Sequence, residues 1–273
     1  MGYLMYGYYD KDSSQTTHFT WTLPQCVLTL SLIALAFDLY DWQQNLIAKK
    51  KGSPMTNEDT AFEHEPTLLE LLSKVYFPPS FLIGPQVRYK DFIEFTQCED
   101  NLLPLCWKYS LSRFCLGVLY FGVFHSGQTY IPADYFFTDQ FKSHGFITKL
   151  TLLAIFNKAN ICKYIAGWLI AEGACIMYGI SRDPTTGQMN RCFNVSVIHF
   201  ETTTTFGGLI ESFNMTTNAF ALRYVFKRLK GLRSKLASQF VTLFFLAIWH
   251  GFPLGYYNTF ALEMMMMKME KDV

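Results

Sequence analysis

The stretch FLAIWHGFPLGYY, residues 245–257, sets a single imidazole, His250, among aliphatic and aromatic side chains. A buried neutral imidazole has one donor and one acceptor to satisfy, and those neighbours offer neither. Two readings follow. His250 is either a core histidine bonded to a backbone carbonyl, or an acid–base group working in an apolar chamber, since an ionisable residue at membrane depth is a candidate for function. Trp249, Gly251 and Tyr256 are its candidate companions, Gly251 because a missing side chain lets another group come close.

A second stretch, ESFNMTTNAFALRYVFKRLK at 211–230, carries Asn214 and Asn218 four apart, on one face if the segment is helical. Asn214-Met-Thr and Asn194-Val-Ser are also glycosylation sequons, but such tripeptides are common, and an asparagine at membrane depth cannot be glycosylated. From Arg223 to Lys235, Tyr224, Val225, Leu229 and Leu232 alternate with Arg223, Lys227, Arg228, Lys230, Arg233 and Lys235. This predicts a basic amphipathic helix lying at a membrane surface. Such a face suits anionic lipid or the phosphates of a ligand, and Arg223, Lys227 and Arg228 are the candidates for the latter.

The elements that must position these residues are apolar. Of 273 residues half are hydrophobic and 16% charged, against roughly 25% in soluble domains. The apolar residues fall in long blocks separated by polar loops at 41–67, 87–104, 181–206 and 223–237. That pattern predicts an all-α polytopic transmembrane bundle with broken or re-entrant helices and amphipathic surface helices. Trp21–Tyr40 is about one membrane thickness, with Asp38 near its end, where a charge costs less. Residues 68–86 contain Pro78, Pro79 and Gly84 and read as a broken, protein-buried segment. Tyr109–Phe124 is a further block. Ile147–Phe156 and Ile161–Ile180 form a pair broken around Asn157, Lys158 and Asn160. Glu172, inside the second of these, must face a polar cavity or have a partner. Ala237–Trp249 predicts a short helix ending at His250-Gly251, and apolar character resumes through Met267.

Several classes are disfavoured. A net charge of +1 shows no bias toward nucleic acid. The seven cysteines are scattered, without a CxxC pair, and read as small buried hydrophobes rather than a metal site or disulfide frame. The segment MGYLMYGYYD has no signal-peptide pattern.

The pairing of FNMTTNAFALRYVFKRLK with WHGFPLGYY resembles the membrane-bound O-acyltransferase family, in its lysophospholipid-acylating branch. WTLPQCVLTLSLIALAFDLYD (21–41), FLIGPQ (81–86), WLIAEGACI (168–176) and FETTTTFGGLIESFN (200–214) extend the resemblance over nearly the whole chain. It implies His250 and Asn214 as the active-site pair; the residues themselves add Asn218, Arg223, Lys227, Arg228, Trp249, Gly251, Tyr256 and Glu172 as candidates around the substrates. It implies acyl-CoA as co-substrate, a lysophospholipid as acceptor, the lipid bilayer as surroundings, no metal and no cofactor, in a multi-pass protein of the endoplasmic reticulum. The chemistry fits: a base takes the acceptor's proton, and Asn214 either orients the imidazole or donates to the developing oxyanion. Another acceptor, a silent truncated isoform and a transporter-like bundle stand as alternatives. The resemblance starts almost at Met1 and stops soon after His250, whereas family members carry further helices on both sides. The expectation is therefore one domain over 1–273, incomplete at both ends and with little or no activity alone. A lower specific activity than that of a form extended by its natural flanks would bear this out.

Overall fold

The computed structural model describes residues 1–13, 21–54, 64–98 and 103–272. In chain order the helices are α1 (Gly2–Ser13), α2 (Thr22–Lys50), α3 (Leu68–Val75), α4 (Pro78–Phe81) and α5 (Tyr89–Thr96). Next come α6 (Leu103–Tyr130), a 3₁₀ turn at Ala133–Phe137, α7 (Asp139–Ser143) and α8 (Phe146–Tyr178). Then follow α9 (Val197–Thr202), α10 (Phe206–Ser212), α11 (Met215–Phe220), a π-helical turn at Ala221–Val225 and a 3₁₀ turn at Phe226–Leu232. The last are α12 (Lys235–His250) and α13 (Leu254–Asp272). Among the described residues there is no strand, only an isolated antiparallel bridge between Val195 and Phe213. The all-α expectation holds, and α2 and α8 are both long and apolar enough to cross a membrane. The chain forms two compact units, residues 1–100 with 192–273, and residues 101–191.

In the first unit α2 runs ten residues past the expected Tyr40, so the supposed loop from Asp41 begins as helix. The reason is that Asp41 and Asn45 turn inward, with Asp38, and are buried. Asp38 is therefore not near a helix end but well inside one. Lys49 and Lys50 occupy the last turn, where they complement the carbonyl end of the helix dipole. The remainder of that expected loop at 55–63, and part of the 87–104 loop at 99–102, lie outside the described residues. α3 starts with a capping box: the Thr67 hydroxyl oxygen accepts the Glu70 N–H (3.3 Å), and the Glu70 carboxylate accepts the Thr67 N–H (2.7 Å). Those bonds, the Thr67 backbone N–H foremost, hold the Glu70 carboxyl below its ordinary range. The break expected in 68–86 is present, because Pro78 and Pro79 start the new short helix α4.

The second unit is a helical hairpin. Ser110 lies by Gly173, Gly117 by Ala166 and Ile170, and Gln128 by Asn160, so α6 and α8 run antiparallel. The expected break at Asn157–Asn160 is absent, and α8 is continuous over 33 residues. Asn157 and Lys158 sit on its exposed side. Asn160 stays helical because its amide bonds the Phe156 carbonyl one turn back (3.0 Å) and accepts from Gln128 across the hairpin (3.1 Å). Glu172 is fully buried with the Arg113 guanidinium 3.5 Å away, so of the two alternatives, a partner or a polar cavity, the partner is the one present. α8 ends on Gly179 in the left-handed conformation (φ 88°). In the turn that follows, the Asp183 carboxylate accepts the Thr185 and Thr186 N–H groups, which holds its carboxyl below the usual range. Of the cysteines, Cys106, Cys162, Cys175 and Cys192 are buried and none is in a disulfide.

Small residues set the hairpin spacing, as between membrane helices generally. A Cβ added at Gly127 would fall 2.3 Å from the Ala159 Cβ, whereas one at Gly122 meets nothing within 4 Å. Gly127→Ala is expected to lower stability by about 1–3 kcal/mol through overpacking. Gly122→Ala is expected to raise it by roughly 0.5–1 kcal/mol by favouring the helix. Thermal unfolding of the two variants in detergent should shift in opposite directions.

Candidate active site

The site is built from the first unit. α12 delivers His250 as its last residue and stops at Gly251, whose φ of 121° and ψ of −166° suit glycine alone. The backbone there is locked from three sides. Trp249 is buried, and its indole N–H donates to the Cys26 carbonyl (3.1 Å). The Tyr8 hydroxyl donates to the Trp249 carbonyl (2.8 Å) and lies 2.6 Å from the Cys26 Sγ. A Cβ on Gly251 would press on the Tyr8 ring at 3.3 Å. Leu4, Leu30, Leu243 and Leu246 pack with Trp249 in one cluster, so α1, α2 and α12 share a core. The Tyr8 contact was not legible: the N-terminal segment offers four tyrosines, and nothing in their spacing says which reaches α12.

His250 itself is half-buried and held by rings. Trp249 meets it edge-on at 4.6 Å, Tyr256 stacks at 5.0 Å and 22°, and Phe260 lies at 5.6 Å. Its ring makes no hydrogen bond among the described residues, so the reading as a core histidine tied to a carbonyl is not met. Trp249, Gly251 and Tyr256 are thus all brought to it, Trp249 as a structural anchor and Tyr256 as a direct neighbour.

Asn214 is placed differently from the expectation. It does not share a helix face with Asn218, because it precedes α11 as the cap residue, in the left-handed conformation (φ 53°, ψ 44°) that asparagine tolerates better than most residues. Two antiparallel backbone bonds clamp the loop, Ser196 N–H to the Ser212 carbonyl and Met215 N–H to the Asn194 carbonyl, both 2.9 Å. They set Asn194 beside Asn214, and the Asn194 Nδ2 donates to the Asn214 Oδ1 at 3.2 Å. Asn194, 2% exposed, is therefore no glycosylation acceptor in the folded chain. Asn218 uses its amide NH₂ on the Ile210 and Phe213 carbonyls (2.8 and 3.0 Å), which closes the preceding turn. Among the described residues no hydrogen bond joins Asn214 to His250.

The basic segment is helical only as far as Leu232, wound as π then 3₁₀, and breaks at Arg233 in the left-handed conformation (φ 52°) before α12 begins; one side of it is turned inward. The Tyr224 hydroxyl donates to both oxygens of Asp38 (2.9 and 3.1 Å). Arg228 forks onto Asp41 at 3.0 and 2.6 Å and lies 4.1 Å over the Phe37 ring. Lys227, Lys230, Arg233 and Lys235 are exposed, and Arg223 is half-buried. Of the cationic candidates Lys227 is thus solvent-facing, while Arg228 is committed to α2. Glu172 belongs to the other unit, with Arg113. The motif FLIGPQ also joins this unit: the Gln86 amide bonds the Val27 carbonyl (3.2 Å) and accepts the Ser31 hydroxyl (3.4 Å), to which the buried Lys74 donates (3.0 Å).

Within the first unit the membrane-length helix α2 packs on α12, whose last residue is a ring-enclosed histidine, and this makes His250 a candidate acid–base centre. The family model of the membrane-bound O-acyltransferases matches residues 6–273, and the chain belongs to that family. It is 37% identical to Lysophospholipid acyltransferase 5 of Drosophila melanogaster, 36% to that of Bos taurus and 34% to that of Homo sapiens. Each alignment covers 100% of this chain and 55%, 57% and 56% of the respective relative. The chain thus spans about half the length of the curated relatives it matches.

The two cations next to each other in sequence should behave differently. Arg228→Ala strips a charged fork from Asp41 and is expected to cost about 1.5–3 kcal/mol. Lys227→Ala, at an exposed position, should stay within about 0.5 kcal/mol of the parent. Thermal unfolding in detergent checks both.

Proposed function

We propose that the chain transfers an acyl group from acyl-CoA to the free hydroxyl of a lysophospholipid, with His250 as the general base. The observation that carries this reading is the His250 ring, walled by Trp249, Tyr256 and Phe260 and hydrogen-bonded to nothing among the described residues. The similarity to relatives named Lysophospholipid acyltransferase 5 supports the acceptor.

In this scheme His250 accepts the lysolipid hydroxyl proton while the oxygen attacks the thioester carbonyl. A tetrahedral oxyanion forms, the C–S bond breaks, and the proton passes to the departing CoA sulfur. The products are diacyl phospholipid and CoA, and no cofactor is needed. The aromatic wall limits water near the thioester, which would otherwise hydrolyse it. Asn214 serves the same reaction from the adjoining loop. Lys227, Lys230 and Arg233 form an outward cationic edge that suits the CoA phosphates and faces the cytosol by the positive-inside rule. The endoplasmic reticulum is the compartment that fits acyl-CoA-dependent lipid remodelling.

The test is release of CoA thiol in membranes carrying the protein, across a panel of lysolipids and other hydroxyl acceptors. Release that depends on lysolipid is expected. His250→Ala and His250→Gln are both expected to lose at least ~10²–10⁴-fold, the worth of a general base, because an amide cannot take the proton. Full activity in either variant, at equal expression, would refute the assignment. Substrate flux without thioester consumption would instead mark a transporter.

Lys227→Ala combined with Arg233→Ala is expected to raise the KM for acyl-CoA more than that for lysolipid. The difference should shrink at high salt, because exposed charges are screened within about 10 Å at 0.1 M. Equal KM changes for both substrates would remove the cationic edge from the scheme.

A further inference from the structure

We infer that Asn194 is a positioning residue that fixes which end of the Asn214 amide is left for the reaction: the oxygen is held and the NH₂ group is presented. The inference rests on the proposed function and resolves the role of Asn214, which the sequence leaves open between orienting the imidazole and stabilising an oxyanion.

The direction of each bond follows from groups that can act only one way. The Thr216 backbone N–H can only donate, and it points at one end of the Asn194 side chain, 2.9 Å away. That end must be the amide oxygen. The Gln86 backbone N–H likewise can only donate, and it donates to the Thr216 Oγ1 (3.0 Å). The Thr216 hydroxyl, accepting there, turns its own proton to the same Asn194 oxygen (2.6 Å). Two donors therefore converge on the Asn194 Oδ1. Its Nδ2 is forced to the other side, where it meets Asn214 at 3.2 Å. An NH₂ group can only donate, so Asn214 must show it an oxygen.

The Asn214 Oδ1 is thus held, and the Nδ2 is the remaining end of the side chain. It makes no hydrogen bond among the described residues. The left-handed backbone at Asn214 and the Val195–Phe213 bridge keep the loop from rotating the amide away. A fixed NH₂ group is what a thioester carbonyl needs as its oxygen gains charge, because a donor already aimed costs no reorganisation during the reaction. The same NH₂ cannot accept a proton from an imidazolium, so Asn214 acts as donor and His250 alone as base.

The isosteric change Asn194→Asp tests this in the full natural chain. The introduced carboxylate still accepts from the Thr216 N–H and hydroxyl but cannot donate. Asn214 must then turn its NH₂ to that carboxylate and its oxygen outward. The expected result is a fall in kcat of ~10²–10³-fold, the worth of one oxyanion donor. KM values for acyl-CoA and lysolipid should stay within about twofold, because the interaction is made only in the transition state. In an Asn214→Ala background, Asn194→Asp should cost kcat nothing more, since a residue acting through another is not additive with it. Parent-level kcat in a monodisperse Asn194→Asp protein, with Asn214→Ala impaired, would overturn the inference and leave the site intact. A further loss in the Asn214→Ala background would also overturn it. If Asn194→Asp does not fold, Asn214→Asp replaces it, because that carboxylate keeps the bond from Asn194 and lacks only the NH₂. Loss of kcat there supports the inference, and parent-level kcat overturns it. Full activity in both Asn214→Ala and His250→Ala would instead bring down the functional reading itself.

Discussion

Asp38, Asp41 and Asn45 occupy a face of α2 that has left water, and a buried carboxylate without a partner costs more than the packing around it returns. The segment 221–232 supplies the partners, Tyr224 to Asp38 and Arg228 to Asp41. That obligation has consequences beyond the pair. It ties the chain that leaves α11 to the middle of α2, and so fixes the loop that carries Asn214. Four residues after Asp41 the helix turns Asn45 the same way. In the other direction along α2, Ser31 reaches Gln86, Val27 accepts the Gln86 amide, and Cys26 receives the Trp249 indole. One face of one helix therefore holds the FLIGPQ turn, the basic segment and the end of α12. The two stretches that carry chemistry meet in one unit because each is bonded to α2.

The sequence showed the elements whose cause is local. The Pro78–Pro79 break and the halt of α12 at His250-Gly251 both follow from backbone rules acting over a few residues. It misplaced elements whose cause is distant. Asn157, Lys158 and Asn160 look like a break when only neighbours are considered, but Gln128 on α6 accommodates Asn160 within a continuous helix. Asp41 looks like the start of a loop until Arg228, far along the chain, is brought to it. At the site the split is the same. His250 and Asn214 were visible as polar residues in apolar or motif-like surroundings. Asn194 was visible only as a sequon, and Tyr8 not at all, because their roles consist of contacts to residues 20 and 241 positions away.

His250 and Asn214 are held by opposite physics. The imidazole is fixed by shape, between rings that offer no hydrogen bond in the plane of its nitrogens. In the proposed scheme that leaves both nitrogens to the substrates, as a group that gains and loses a proton requires. The asparagine is fixed by a directed bond from Asn194, which suits the proposed role of a donor that does not move during the reaction. Packing alone would let an amide flip, since its two ends are nearly equal in size. Only donors and acceptors distinguish them.

The origin of that distinction is the backbone. The two donors that set the polarity of Asn194 include the N–H groups of Thr216 and, through the Thr216 hydroxyl, of Gln86, and a backbone N–H survives every substitution except proline. Loss of the Thr216 hydroxyl would leave the Thr216 N–H still pointing at the Asn194 oxygen, so the direction would persist with one bond fewer. Asn194 has no such reserve. It must accept on one side and donate on the other through a rigid planar group, and neither aspartate, with no donor, nor an aliphatic residue, with neither, reproduces that. The direction of the Asn214 amide therefore rests on side-chain chemistry at one position and on main-chain geometry everywhere else.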